Sequence, residues 1–270
     1  MLRTRLLTAI LLIPIVAWLM YLGGLPFLAL MAVLTTLAEI EFSILLSRRG
    51  FFAIHLFGLG LVWLCLLDGQ FPQWGLMSRG LPVLLIVSFS WQVLRKKRTG
   101  VETWAGAIAS GLYVGLSGAS LVRLRALPGD GLWWTFTAIP VALFADAAAY
   151  LIGSKWGRRK LAPRLSPGKT WEGYLGGVVL GTLMGALLGS IWALGAGPGS
   201  EITLHRGLVM GLLVAVLAPL GDLTVSMVKR EAGVKDTGRL LPAHGGALDR
   251  MDSVLFAAVV GYAYVSWFVG

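Results

Sequence analysis

One cysteine, three histidines and thirteen acidic residues are all that this 270-residue chain offers of the side chains that build disulfides, soft-metal sites and acid–base pairs. A lone Cys65 excludes an intramolecular disulfide, and in an apolar run it reads as a buried, inert thiol. Charge is scarce too. Only 13% of residues are Asp, Glu, Lys or Arg, against 57% hydrophobic, and the mean hydropathy is +0.79. That balance excludes a single water-soluble domain and points to a membrane protein. There is no long-period repeat and no low-complexity tail, and nothing resembles the inverted halves of many transporters.

What the chain has is long apolar runs. A helix needs roughly 17 to 25 apolar residues to cross a ~30 Å hydrocarbon layer, and nine segments meet or approach that. They are Leu6–Tyr21, Pro26–Leu46, Phe51–Leu67, Leu81–Leu94 (short), Trp104–Leu121, Leu132–Ile152, Tyr174–Leu194, Gly207–Val225 and Ser253–Val269. The basic start, MLRTRLL, resembles a signal peptide, but no small-residue cleavage site follows, so it is expected to remain as the first span. With nine spans, 19 of the 23 Lys and Arg fall on the side of the N-terminus. Arg79, Arg123, Arg125 and Arg206 fall on the other. The positive-inside rule then places the N-terminus in the cytoplasm. The expectation is an all-α polytopic membrane protein, one helical domain over residues 1–270, with chemistry in the C-terminal half from about residue 140.

Two polar segments interrupt the apolar chain, Gly153–Gly173 and Lys229–Asp252, and both fall on the cytoplasmic side of this map. Between them, Gly173, Gly177, Gly181, Gly185 and Gly189 recur every four residues, a stripe that lets another helix approach closely. Packing inside the bundle is preferred to a subunit interface.

Ionisable groups within a bilayer are costly unless paired, hydrated or metal-bound. Glu39, Glu41, Asp146 and Asp222 lie within the expected spans. Glu172 lies just outside the seventh, and Glu102 becomes an anchor if the fifth begins earlier. Asp249 and Asp252, three apart at the start of the ninth span, share a helix face. With Asp146 and Asp222 they give up to four carboxylates that would repel one another without a counter-charge. Oxygen-only donors suit Mg²⁺ or Mn²⁺ rather than zinc. Helix capping explains either terminal aspartate alone. It does not explain Asp146 and Asp222, which are not at helix starts.

Lys229, Arg230, Lys235, Arg239 and Arg250, with six more cations in GSKWGRRKLAPRLSPGKTWEG, suit anionic headgroups and nucleotide phosphates. His244, in the turn Pro-Ala-His-Gly-Gly, is placed to donate to a phosphate or to act as acid or base. Gly168-Lys169-Thr170 imitates a P-loop, but Pro163 stands where that motif needs Gly and no preceding strand is expected.

The stretch SMVKREAGVKDTGRLLPAHGGALDRMDS, Ser226 to Ser253, resembles the C-terminal signature of the phosphatidate cytidylyltransferases, also called CDP-diacylglycerol synthases. ADAAAYLIG and KLAPRLSPGKTWEG are similar to that family's middle segment. Ala147, Val225, Ala243 and Ala247 depart from its usual residues and leave the charged set intact. The resemblance implies that CTP and phosphatidic acid give CDP-diacylglycerol and pyrophosphate with a divalent metal. It also implies a polytopic, often dimeric fold in a bacterial inner membrane with its site open to the cytoplasm. It assigns Asp222, Asp249 and Asp252, with Asp146 nearby, to the metal. Lys229, Arg230, Lys235, Arg250 and His244 become phosphate contacts, joined by Asp236, Gly245 and Gly246 in the same loop. Ser166, Lys169 and Thr170 form a second substrate element. No nucleic-acid partner is expected. An anion transporter is the competing class, and it would place broken helices near the midplane, whereas the polar residues here crowd one face. A CDP-alcohol phosphotransferase would show an Asp-Gly-x-x-Ala-Arg motif, which is absent.

Overall fold

The structure, a computed structural model, describes residues 2–48, 55–94, 101–197, 199–238 and 246–269. Among them are nine α-helices: α1 (Leu2–Leu22), α2 (Gly24–Arg48), α3 (His55–Gln70), α4 (Leu76–Leu94), α5 (Val101–Ala126), α6 (Gly131–Trp156), α7 (Trp171–Gly195), α8 (Leu204–Glu231) and α9 (Leu248–Phe268). Seven are long and apolar enough to cross a membrane. The apolar stretches Leu12–Leu22 of α1 and Leu56–Gln70 of α3 are shorter. Several helices outrun the apolar cores expected from sequence. The fourth is a full 19 residues, and α5 takes in Glu102 at its start and Arg123 and Arg125 at its end, residues expected to flank the span.

The all-helical expectation needs one amendment. An antiparallel hairpin, β1 (Lys160–Ala162) with β2 (Ser166–Thr170), pairs Lys160 with Thr170 and Ala162 with Ser166. Gly168-Lys169-Thr170 therefore does follow a strand, and lies in a strand itself. The spacing, and the lack of a β-α-β unit among the described residues, still exclude a P-loop.

The contacts divide the chain into two compact units, Met1–Arg123 with Val228–Met251, and Leu124–Met227 with Asp252–Gly270. In the first, glycines set close helix approaches that sequence did not flag. A Cβ on Gly111 would lie 2.7 Å from the Gly58 carbonyl oxygen, and one on Gly115 would lie 3.0 Å from Val62 Cα, so α5 sits backbone to backbone on α3. In the second unit the α7 stripe is used within the chain. A Cβ on Gly177 would lie 2.7 Å from the Ala145 carbonyl of α6, and Gly185 and Gly189 abut Gly207 and Gly211 of α8. The opposite face of α7 exposes Leu175, Val179, Leu183 and Leu187 at the same spacing, as a lipid-facing surface would. Bundle packing, rather than a subunit interface, accounts for the stripe.

Candidate active site

The second unit gathers acids from three helices. Asp146 on α6 accepts from the Ser253 hydroxyl at 2.5 Å, and Ser253 N–H donates to Asp252 Oδ1 at 2.7 Å. Asp252 is 9% exposed, and the carboxylates of Asp222 on α8 and Asp146 are both close enough to act on it. Lys169 Nζ, from β2, sits 2.7 Å from Asp222 Oδ2, and Ser226 donates to Asp222 Oδ1 at 3.3 Å. Gly221 lets α9 come this close, since a Cβ there would strike the Asp252 carbonyl and lie 2.9 Å from the Phe256 ring. Among the described residues, three carboxylates gather with the Lys169 ammonium against Asp222, in a setting where like charges interact strongly.

Of the second substrate element, Ser166 and Lys169 stand on β2 as half-buried side chains. Thr170 differs from expectation. It is buried, its hydroxyl accepts from Gly173 N–H at 3.2 Å to cap α7, and Gly153 and Gly157 pack on it. Its side chain is therefore committed to the fold. Glu172, in the first turn of α7, takes the backbone N–H groups of Arg158 and Arg159. Beside them an open cavity of about 450 Å³ is lined by Lys155, Trp156, Gly157, Arg158 and Glu172.

The first unit holds the other half of the sequence prediction. Gly233, in the left-handed region at φ 72°, turns the chain at the end of α8, and Val234 N–H returns to the Lys229 carbonyl at 2.9 Å. That turn leaves Lys229 Nζ 2.6 Å from Asp249 Oδ1, both side chains mostly buried. Asp249 Oδ2 accepts Thr237 N–H at 2.9 Å, the Thr237 hydroxyl at 3.0 Å and, more weakly, Gly246 N–H at 3.4 Å. Gly246 is thus tied to Asp249 and packed against Thr237 and Glu41. Arg230, Lys235, Asp236 and Arg250 are exposed. His244, Gly245 and Arg239 lie outside the described residues. Of the four carboxylates expected to converge, Asp146, Asp222 and Asp252 come together in one unit. Asp249 belongs to the other.

The cytidylyltransferase family model matches residues 3–268, nearly the whole chain and both polar segments. The chain belongs to the cytidylyltransferase family. Curated relatives agree along their length. The phosphatidate cytidylyltransferase of Brucella suis biovar 1 is 35% identical over 271 residues, covering 97% of this chain and 93% of its own. That of Bacillus subtilis is 31% identical over 270 residues and 98% of each. That of Mycobacterium leprae is 32% identical over 224 residues, 74% of this chain and 69% of its own. The chain is accordingly a nucleotidyltransferase, built on apolar membrane helices.

Two polar groups of this cytidylyltransferase, Asp68 and Thr237, escaped sequence reasoning, and so did the partners of a third, Glu39. Asp68 of α3 is buried, accepts Met77 N–H at 2.9 Å and pairs with Arg123 of α5 at 2.5 Å. The expected third span stopped at Leu67, which left Asp68 in a loop. Glu39 is fully buried and accepts from Ser43 at 2.9 Å and Ser110 at 2.8 Å, linking α2 to α5. Thr237, whose hydroxyl lies 2.8 Å from Glu41 and 3.0 Å from Asp249, carried no sequence signal at all.

Proposed function

We propose that this cytidylyltransferase transfers the cytidylyl group of CTP to phosphatidic acid, giving CDP-diacylglycerol and pyrophosphate for phospholipid synthesis. The full-length match to its family, with relatives that carry the name phosphatidate cytidylyltransferase, is the observation that carries this reading. All nine helices cross the membrane, and the site faces the cytoplasm of a bacterial cell membrane. The 19-to-4 division of basic residues supports that orientation.

In the transfer, a phosphatidate oxygen attacks the α-phosphorus of CTP, a P–O bond forms, and the bond to the bridging oxygen of pyrophosphate breaks. The nucleophile is already ionised near neutral pH, so no dedicated base is required. Two polyanions must meet, and the chain supplies cations to hold them. Lys169, beside Asp222, and Lys229, beside Asp249, are held firmly. Arg230, Lys235 and Arg250 are the more exposed phosphate contacts.

The donor chemistry fits a hard divalent cation. Asp146, Asp222 and Asp252 are oxygen donors, buried or half-buried, and among the described residues one lysine accompanies them. Among those residues no group of three or more acids or histidines is already drawn around a single ion position. Asp222, Asp252 and Asp146 would hold Mg²⁺ or Mn²⁺. When bound, the cation would polarise the α-phosphoryl oxygens and neutralise the pyrophosphate as it departs.

The test is to incubate purified protein with CTP labelled in the α-phosphate, phosphatidic acid and Mg²⁺. Label entering the organic phase as CDP-diacylglycerol supports the reading. Label that stays aqueous while the protein is folded overturns it.

A further inference from the structure

A carboxylate with 1% exposure, on a long apolar helix and with no cation paired to it among the described residues, is costly to keep. Glu41 of α2 is such a group. Its Oε2 accepts Leu248 N–H at 3.0 Å, one of the first backbone donors of α9, and the Thr237 hydroxyl at 2.8 Å. Neither bond serves α2. They fix residues 196 and 207 positions away in sequence, and the nearby chain is shaped to admit the carboxyl. A Cβ on Gly238 would lie 2.9 Å from Glu41 Cδ, and one on Gly246 would lie 2.8 Å from it. Two glycines therefore leave the space that Glu41 fills.

What Glu41 holds is the scaffold of the Lys229–Asp249 pair. The Thr237 hydroxyl lies within bonding distance of Glu41 Oε2 and Asp249 Oδ2, at 2.8 and 3.0 Å. It has one hydrogen to give, so the two acids are coupled through a single group. Thr237 N–H donates to the same Asp249 oxygen, which leaves Oδ1 directed at Lys229.

We propose that Glu41 is a positioning residue for cytidylyl transfer: it anchors Thr237 and the start of α9 so that Asp249 and Lys229 keep one orientation. This rests on the proposed function, and it adds a residue from the N-terminal half to machinery otherwise confined to the C-terminal half. Supporting groups of this kind typically carry about 10- to 100-fold in activity when removed.

The test compares Glu41→Ala, Glu41→Gln, Thr237→Val and the double variant Glu41→Ala/Thr237→Val with wild type. The readouts are label transfer from CTP to lipid and amide hydrogen exchange. Glu41→Ala and Thr237→Val are each expected to lower kcat by about 10- to 100-fold. The double variant falls no further than the weaker single, because both act through one link. Glu41→Gln, which keeps an acceptor for Leu248 N–H, recovers most of the rate. Exchange rises around Thr237 and Leu248 and stays unchanged in α6 and α7, which a general loss of stability would not produce. Should Glu41→Ala fail to purify, Thr237→Val and Glu41→Gln decide. Wild-type kcat in Thr237→Val, losses that multiply in the double variant, or uniformly faster exchange would each overturn the proposal. An inactive wild type would instead refute the cytidylyl-transfer reading, so the two failures are distinct.

Discussion

Lys169 and Asp222 meet at 2.7 Å, joining a two-stranded hairpin to a membrane helix. The pair puts an ammonium against an acid that also acts on Asp252. Lysine here balances part of the acids' charge.

Lys169→Ala is therefore expected to lower cytidylyl transfer by about 10- to 100-fold, with Lys169→Arg retaining part of the rate because the charge is kept while the point geometry is lost. Steady-state kinetics at varied CTP checks this. Wild-type kinetics in Lys169→Ala would remove the residue from the substrate path.

Asp249→Ala is expected to abolish conversion of phosphatidate while the protein still inserts and purifies. It should also destabilise, because Lys229 would be left mostly buried without its partner, at a cost of roughly 3 kcal/mol. Asp249→Asn keeps one acceptor oxygen, which serves Thr237 or Lys229 but not both, and should recover part of the stability but not turnover. Thermal unfolding in detergent, run beside the activity assay, separates the two effects.

The Asp68–Arg123 pair predicts the reverse pattern. Arg123→Ala should lower stability by about 1 to 3 kcal/mol, discounted for a guanidinium that is about a third exposed, and leave kcat near wild type. Combining it with Asp68→Asn should recover part of the loss, since the uncompensated buried charge is removed. The thermal midpoints of the single and double variants are the measurement.

Gly177→Leu should lower the thermal midpoint by overpacking the α6–α7 contact, at a cost of about 1 to 3 kcal/mol or more. Val179→Leu, two residues away on the exposed face of the same helix, should leave it unchanged. Equal effects at the two positions would contradict the placement of the glycine face.

Polar residues stand out in an apolar chain, which is why Asp146, Asp222, Asp249, Asp252 and Lys229 were legible in the sequence: each carries a desolvation cost that packing alone does not justify. The α7 stripe was legible for a similar reason, since period four with glycine has one geometric meaning. The hairpin was not. Ser-Pro-Gly-Lys-Thr has turn chemistry, and only its pairing with Lys160–Ala162 makes it a strand. The Glu41–Thr237 and Asp68–Arg123 links were hidden by separation along the chain, because no local pattern says which distant helix supplies the partner. What surrounds each aspartate was equally invisible, for spacing on α9 makes Asp249 and Asp252 look equivalent. Their partners are not. One takes Lys229 and Thr237, and the other lies beside Asp222 and Asp146.

The most direct test is label transfer from CTP to phosphatidic acid by wild type, Asp222→Asn and Asp252→Asn at matched amounts of folded protein across a range of Mg²⁺. The expected result is metal-dependent CDP-diacylglycerol formation by wild type and none by either variant, with thermal midpoints preserved. Wild-type rates in both variants would contradict a role for the buried carboxylate cluster in the transfer.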